Sequence, residues 1–265
     1  MREELIEDFV LDGFVKVPGA FSTDIADACA TLLWEEIDAR PDEPATWTQP
    51  VYWVGDMPQE PFVQAANTPV LHDAFDALVG PGRWSPRPSM GSFPLRFPHA
   101  QEPNDAGWHI EGGYQPPGET EWWTNVHSSG KTLLMLFLFS EIDESNAPTR
   151  IRIGSHLDVP EVLRPYGGQG APMSVLGPLV DAASTHRRVT LATGQPGDVY
   201  LCHPFLVHAA QPHHGSRPRF LGQPPLHPSP PFMPGPFSLS VTDTEPSPIG
   251  RTIRQALGAR SEPSH

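Results

Sequence analysis

His109 and Glu111 stand two residues apart in Trp108-His109-Ile110-Glu111. In extended backbone that spacing projects both side chains to the same side, so an imidazole and a carboxylate can grip one ion. Nearly a hundred residues later the run Pro204-Phe205-Leu206-Val207-His208 ends in a further imidazole. Two imidazoles and one carboxylate make a facial triad that leaves three adjacent coordination positions open. Non-haem Fe(II) oxygenases use this donor set, because cosubstrate and dioxygen must bind side by side. Arg217-Pro218-Arg219 follows, and a guanidinium is a planar fork suited to a carboxylate. Taken singly these residues are ordinary: His208 has His203, His213 and His214 nearby, and a lone arginine is most often a surface cation. Their order along the chain is what joins them.

Bringing His109 to His208 needs a sheet-rich body, and the punctuation of the chain after Gly80 supplies one: short apolar runs separated by Gly, Pro, Asn and Asp. Strands are expected at 92–97, 132–139, 150–153, 189–191, 198–202, 205–209, 219–222 and 237–241. The run 133–139 is apolar on both faces and should be a central strand covered on each side. The first third is more helical. A short amphipathic helix is expected over 3–10, then a strand ended by Pro18-Gly19. Ser22 caps a helix with Ile25, Ala28, Cys29, Leu32, Leu33 and Glu36 inward, and Asn67 with Pro69 opens another with Leu71, Ala74, Phe75 and Leu78 inward. Ser155 and Asp158 could cap a short helix reaching 163. Seven prolines over 223–236 exclude a central strand there and suggest an extended surface segment, and the residues after 257 read as frayed. These elements form one domain over 1–265: a helical buttress (1–80), a β core (81–245) and a C-terminal helix with its tail (246–265).

Composition narrows the function. Thirty-four prolines in 265 residues is about 13%, against a usual ~5%, and rules out a helical bundle. A chain this long buries enough surface to fold without a structural metal, so a bound metal would be functional. The formal charge of −14, unbroken by any run of Lys or Arg, disfavours nucleic acid and anionic membranes as partners. It also disfavours a polyphosphate-bearing substrate, unless a patch around Arg83, Arg87 and Arg96 offsets it. With no eighteen-residue apolar stretch and no signal-like start, the chain reads as cytoplasmic. Cys29 and Cys202, one in a helix and one in a strand, are expected as reduced thiols.

Several motifs together resemble the phytanoyl-CoA dioxygenase family of Fe(II)- and 2-oxoglutarate-dependent oxygenases: His109-x-Glu111, the acidic turn Asp143-Glu144-Ser145-Asn146-Ala147-Pro148, Gly154-Ser155-His156, Gly197-Asp198, and His208 followed by ten residues and Arg219. The opening Asp12-Gly13-Phe14-Val15 before Pro18-Gly19 fits as well, so the likeness spans about 9–257. Two positions depart: Glu111 where the family usually has Asp, and Ala147 where it has Gly. The resemblance implies a mainly β fold with flanking helices, a double-stranded β-helix or jelly roll with the metal in its open mouth. It implies that His109, Glu111 and His208 hold Fe(II), that Arg219 pairs with the distal carboxylate of 2-oxoglutarate, and that Leu136 and Ser92 line the cosubstrate pocket. O2 is the co-reactant, and the keto acid would be decarboxylated to succinate as a small organic molecule, of secondary metabolism for example, is oxidised. The retained carboxylate argues against a halogenase, whose site replaces it with a small residue. Residues 112–129 follow the ligands with Tyr114, Trp122 and Trp123 and read as a lid whose aromatics contact substrate, or, for Trp122 and Trp123, as a plug of the barrel edge. His99, His127 and His156 read as structural or solvated. The chain is taken as a monomer or homodimer. Two other readings stand beside the oxygenase: a cupin-like metalloenzyme that uses no keto acid, and a non-catalytic jelly-roll binding module.

Overall fold

The computed structural model describes residues 2–229 and 247–258. Its first third contains α1 (Arg2–Asp12), β1 (Phe14–Val17), α2 (Thr23–Glu35), β2 (Val51–Val54), α3 (Glu60–Ala66) and α4 (Pro69–Leu78). The middle holds β3 (Phe93–Arg96), β4 (Trp123–Thr124), β5 (Leu133–Leu138), β6 (Thr149–Arg152), α5 (Val159–Leu163), β7 (Ala171–Pro172) and α6 (Met173–Ala183). β8 (Val189–Ala192), β9 (Val199–Cys202), β10 (His208–Ala209), β11 (Leu221–Gly222), β12 (Pro225–Leu226) and α7 (Pro248–Ala256) complete it.

β5 is the strand around which two layers form. β9 pairs with one of its edges and carries β1 beyond it, while β11 and β12 share the other edge, all antiparallel. A second sheet has the order β10-β6-β8. All six side chains of β5 are buried, and they alternate. Leu133, Met135 and Phe137 join the cluster packed under the helices, with Cys29, Leu33, Phe62, Leu71, Phe75 and Ile253. Leu134, Leu136 and Leu138 join the other cluster, with Ile151 and Ala192 of the second sheet and Tyr200 of β9. Each such side chain contributes about 2 kcal/mol by transfer from water, so β5 anchors both layers. The sheets are open; the described strands do not close into a barrel.

Several expectations need correction. Glu36 is exposed, and the fully buried positions of α2 are Ala26, Cys29 and Leu33: the apolar stripe is rotated, and Glu36 lies past the helix end. One helix was not expected. α6 runs through Gly177 and Pro178, which on sequence alone read as breakers, because its start is tied to Glu121 through Ser174 N. Only His208 and Ala209 of 205–209 are strand, since 203–205 turn, with His203 Nδ1 accepting from Phe205 N. Ser155 opens a short 3-10 turn ahead of α5 rather than capping it, and its hydroxyl accepts from Val207 N. Of the proline-rich segment, 225–226 pairs with β5 rather than running free; the part from 230 onward lies outside the described residues, as does the expected strand at 237–241. Arg87 and Arg96 are buried, so they form no surface patch with Arg83. Among the described residues no helix is long and apolar enough to cross a membrane. Cys29 and Cys202 are both free and buried, and burial pushes the Cys29 thiol up to about 12 and that of Cys202 higher.

His156 and His203 tie the helices to the sheets. Their rings lie 4.9 Å apart between α1, α7 and the end of β9. His156 Nε2 lies 3.1 Å from the Val10 carbonyl and must donate to it. His203 accepts at Nδ1, so its Nε2 carries the proton and donates to Thr252 Oγ1 at 3.1 Å. Gly13, at φ +83°, passes so close that a Cβ there would sit 2.4 Å from His156 Nδ1. Both imidazoles are held neutral by burial, His156 down to about 4 and His203 well below the usual histidine range. Well above pH 6.5, the ordinary histidine value, the native and unfolded chains are both unprotonated at these sites. As the pH falls toward 4 the unfolded chain takes up protons that the native state refuses, so stability is lost. His156 alone should remove about 2 kcal/mol by pH 5. Urea unfolding between pH 7.5 and 5 measures this, and His156→Asn should flatten that part of the slope.

Candidate metal centre

The site begins with two backbone hydrogen bonds. His109 N donates to His208 O at 3.0 Å and His208 N to His109 O at 2.9 Å. Directly opposed residues of an antiparallel pair share a face, and the two rings lie 4.5 Å apart. Glu111, two residues on, projects to the same side, with Oε1 3.5 Å from Nε2 of each histidine. The candidate ligand atoms of all three lie within 4.8 Å of one another. Each histidine gives its Nδ1–H to the carbonyl two residues upstream, His109 to Gly107 O at 2.8 Å and His208 to Leu206 O at 3.0 Å. Both Nε2 lone pairs are thereby left facing the carboxylate. Burial pushes the Glu111 carboxyl up, but when either imidazole takes a second proton, at Nε2, its hydrogen bond and charge outweigh burial and hold the carboxyl well below the usual carboxylate range. Burial pulls His208 down; His109 is only half-buried, and against its partial desolvation the contact with Glu111 raises it.

The strands that present these ligands are braced from behind. Arg150 of β6 donates to Ala106 O and Ala210 O, joining the approach to His109 with the exit from β10. Its guanidinium and that of Arg152 lie 4.8 and 4.2 Å from the Trp108 ring, a cation–π contact on the residue before His109. Arg152 is fixed in turn by Asp181 of α6 at 2.8 Å.

A divalent metal fits this cluster. His208 Nε2 is buried and has no hydrogen-bond partner, although unpaired buried nitrogens are costly, and it faces a carboxylate and a second imidazole. Two neutral imidazole nitrogens and one carboxylate oxygen are donors suited to Fe(II) and its neighbours.

Lys131 adds a group that sequence reasoning missed. It is 1% exposed, and its ammonium donates to the main-chain carbonyl of Glu111. Burial lowers it to about 8 while Glu111 opposes the shift. A signal was available: the chain has only two lysines, and the other, Lys16, is paired with Asp198 at 2.7 Å.

The remaining expected site residues divide. Arg219 is 1% exposed and donates to Ala147 O at 2.7 Å. Ala147 itself holds φ +51°, in the left-handed region that favours glycine. Leu136 is in the cluster between the sheets. Ser92 is exposed just ahead of β3, where its carbonyl accepts from Gln223 N. Residues 112–124 form an anchored hairpin rather than a free lid. Gly113 N donates to Trp123 O, Trp123 N to Tyr114 O, and Tyr114 Oη to Gln169 O at 2.6 Å. A Cβ on Gly112 would lie 2.5 Å from Trp122 Cβ, so Trp122, 54% exposed, packs directly beside the neighbour of Glu111. Tyr114 is spent on its anchor, and Trp123 is paired in β4 with β7.

No protein-family model and no curated protein sequence matches this chain. Solved structures do share its fold. SnoN, a non-heme alpha ketoglutarate dependent epimerase from nogalamycin biosynthesis, solved with Fe3+, alpha ketoglutarate and nogalamycin RO, is similar with a TM-score of 0.59 at 16% identity, over 93% of this chain and 92% of that one. The alpha ketoglutarate dependent carbocyclase SnoK is similar with a TM-score of 0.55 at 16% identity, over 92% and 91%. HygX from Streptomyces hygroscopicus, solved with nickel, 2-oxoglutarate and hygromycin B, gives a TM-score of 0.51 at 18% identity, over 86% and 87%. At these identities the likeness is one of fold.

Proposed function

We propose that this protein is an Fe(II)- and 2-oxoglutarate-dependent oxygenase of the phytanoyl-CoA dioxygenase type, acting on a small organic molecule from one jelly-roll domain. The observation that carries the reading is the buried, unpartnered Nε2 of His208, converging with His109 and Glu111 on one point of a fold shared with keto-acid-dependent enzymes. In this reading His109, Glu111 and His208 hold Fe(II). Arg219, a buried cation that forms no ion pair among the described residues, receives the distal carboxylate of 2-oxoglutarate. Leu136 supplies apolar wall between the sheets, and Trp122, with Tyr114 and Trp123 behind it, lies on the substrate side.

Fe(II) with 2-oxoglutarate and O2 supplies the oxidising chemistry, in which the keto acid is decarboxylated to succinate and the substrate loses two electrons. The chain's own residues place the reactants. The Nδ1–H bonds to Gly107 and Leu206 keep both imidazoles in the tautomer that offers Nε2, and Lys131 fixes the main chain from which Glu111 reaches in. The cluster between the sheets keeps water from one wall of the site.

Removal of one ligand should be decisive. His208→Ala and Glu111→Gln should each weaken Co(II) binding by at least about 100-fold in calorimetry with little change in fold by circular dichroism. Anaerobic addition of 2-oxoglutarate to the Fe(II)-loaded protein should raise the weak visible absorption band of a metal-chelated keto acid, and Arg219→Ala should weaken the keto acid's binding about 10- to 100-fold. Iron binding without the band would instead mean a metalloenzyme that uses no keto acid, and no metal binding would leave a binding module.

A further inference from the structure

Arg96, the last residue of β3, stands opposite Arg219. Arg96 N donates to Arg219 O at 3.0 Å and Arg219 N to Arg96 O at 2.7 Å. Opposed residues of an antiparallel bridge send their side chains to one face with Cβ atoms about 5 Å apart, so two guanidiniums share that face. Arg96 is 3% exposed and Arg219 1%. Burial and the Arg96 charge beside it hold the Arg219 guanidinium well below the usual arginine range, a cost that an anion between the two would offset. One acid serves the pair: Asp105 accepts from Arg96 Nη1 at 3.1 Å and Nη2 at 2.6 Å. Arg219 gives its Nη groups to carbonyls only, Ala147 O at 2.7 Å and Pro94 O at 3.4 Å. Two fixed positive charges against one negative charge leave one unit uncompensated in a dry place, where an unpaired cation is costly. The Nε of Arg96 and the Nε of Arg219 are also both buried without a partner.

We infer that Arg96 and Arg219 together form a two-guanidinium carboxylate seat, each offering its Nε–H to one oxygen, with Asp105 as the positioning residue that aims Arg96. The inference rests on the oxygenase reading in that the carboxylate is the distal one of 2-oxoglutarate. Its chemical content is selectivity: the seat adds nothing for a keto acid without a second carboxylate.

The test compares 2-oxoglutarate with 2-oxobutyrate, which lacks the distal carboxylate, by anaerobic titration of the Fe(II)-loaded protein. The double variant Arg96→Gln/Asp105→Asn removes the second guanidinium without stranding its acid. It should bind 2-oxoglutarate at least tenfold more weakly, with 2-oxobutyrate and Fe(II) affinities within about twofold of the parent. Arg96→Lys keeps the charge but not the Nε–H of the fork, and gives the same split if the double variant fails to fold. Equal weakening of both keto acids, or no weakening of either, would overturn the inference. Glutarate added to the metal-free protein separates the two readings. If the parent shows no keto-acid band yet glutarate raises its melting temperature and does not raise that of the Arg96 variants, the seat stands and the oxygenase reading falls. If glutarate raises neither, the seat falls as well.

Discussion

The reciprocal hydrogen bonds between the main chains of His109 and His208 set the geometry of everything at the site. They join two segments that the sequence holds far apart, and they do so residue to residue, so both imidazoles must leave the same face. The alternation of extended backbone then places Glu111 on that face with no further device. The same rule repeats on the donor side of each ring, where a carbonyl two residues upstream takes the Nδ1 proton. One local pattern, used twice and joined at its centre, yields three convergent donor atoms.

That bridge is short, and two residues of β10 would not persist alone. What holds it is the layer behind. β6 pairs with β10 on one side and β8 on the other, and Arg150 spans from β6 to carbonyls flanking both ligand segments. β5 lies deeper, saturated with apolar contact on both faces, so the second sheet packs on a support that cannot shift without opening either core. The helical layer adds its own lock through two neutral imidazoles that bond α1 and α7 to the loops beside the sheets.

The donor triad and the central strand were legible because each is a short-range pattern. A two-residue spacing and an unbroken apolar run keep their meaning in any tertiary setting. The orientation of α2 was less legible, since Glu36 satisfied a helical period that in fact ends at Glu35. α6 was hidden by Gly177 and Pro178, local penalties overridden by burial of Leu176 and Val180 and by the Glu121 tether at its first turn. The segment 112–124 looked like a lid because proline, glycine and aromatic residues also build hairpins; only the pairing of Tyr114 with Trp123 separates the two. Lys131 could be found only by asking why so few lysines are present, and Arg96 only from its partner across the strand, a relation that sequence separation conceals.

The burial of the two thiols has a chemical consequence for a centre of this kind. Oxidation and disulfide exchange proceed through thiolate, and both sulfurs are held as thiols inside apolar surroundings far above neutral pH. Cys29 sits in α2 under the helices and Cys202 ends the strand beside β5, so neither can meet a thiol of a second molecule without unfolding. In the folded chain these two sulfurs are therefore shielded from peroxide and from disulfide-linked aggregation.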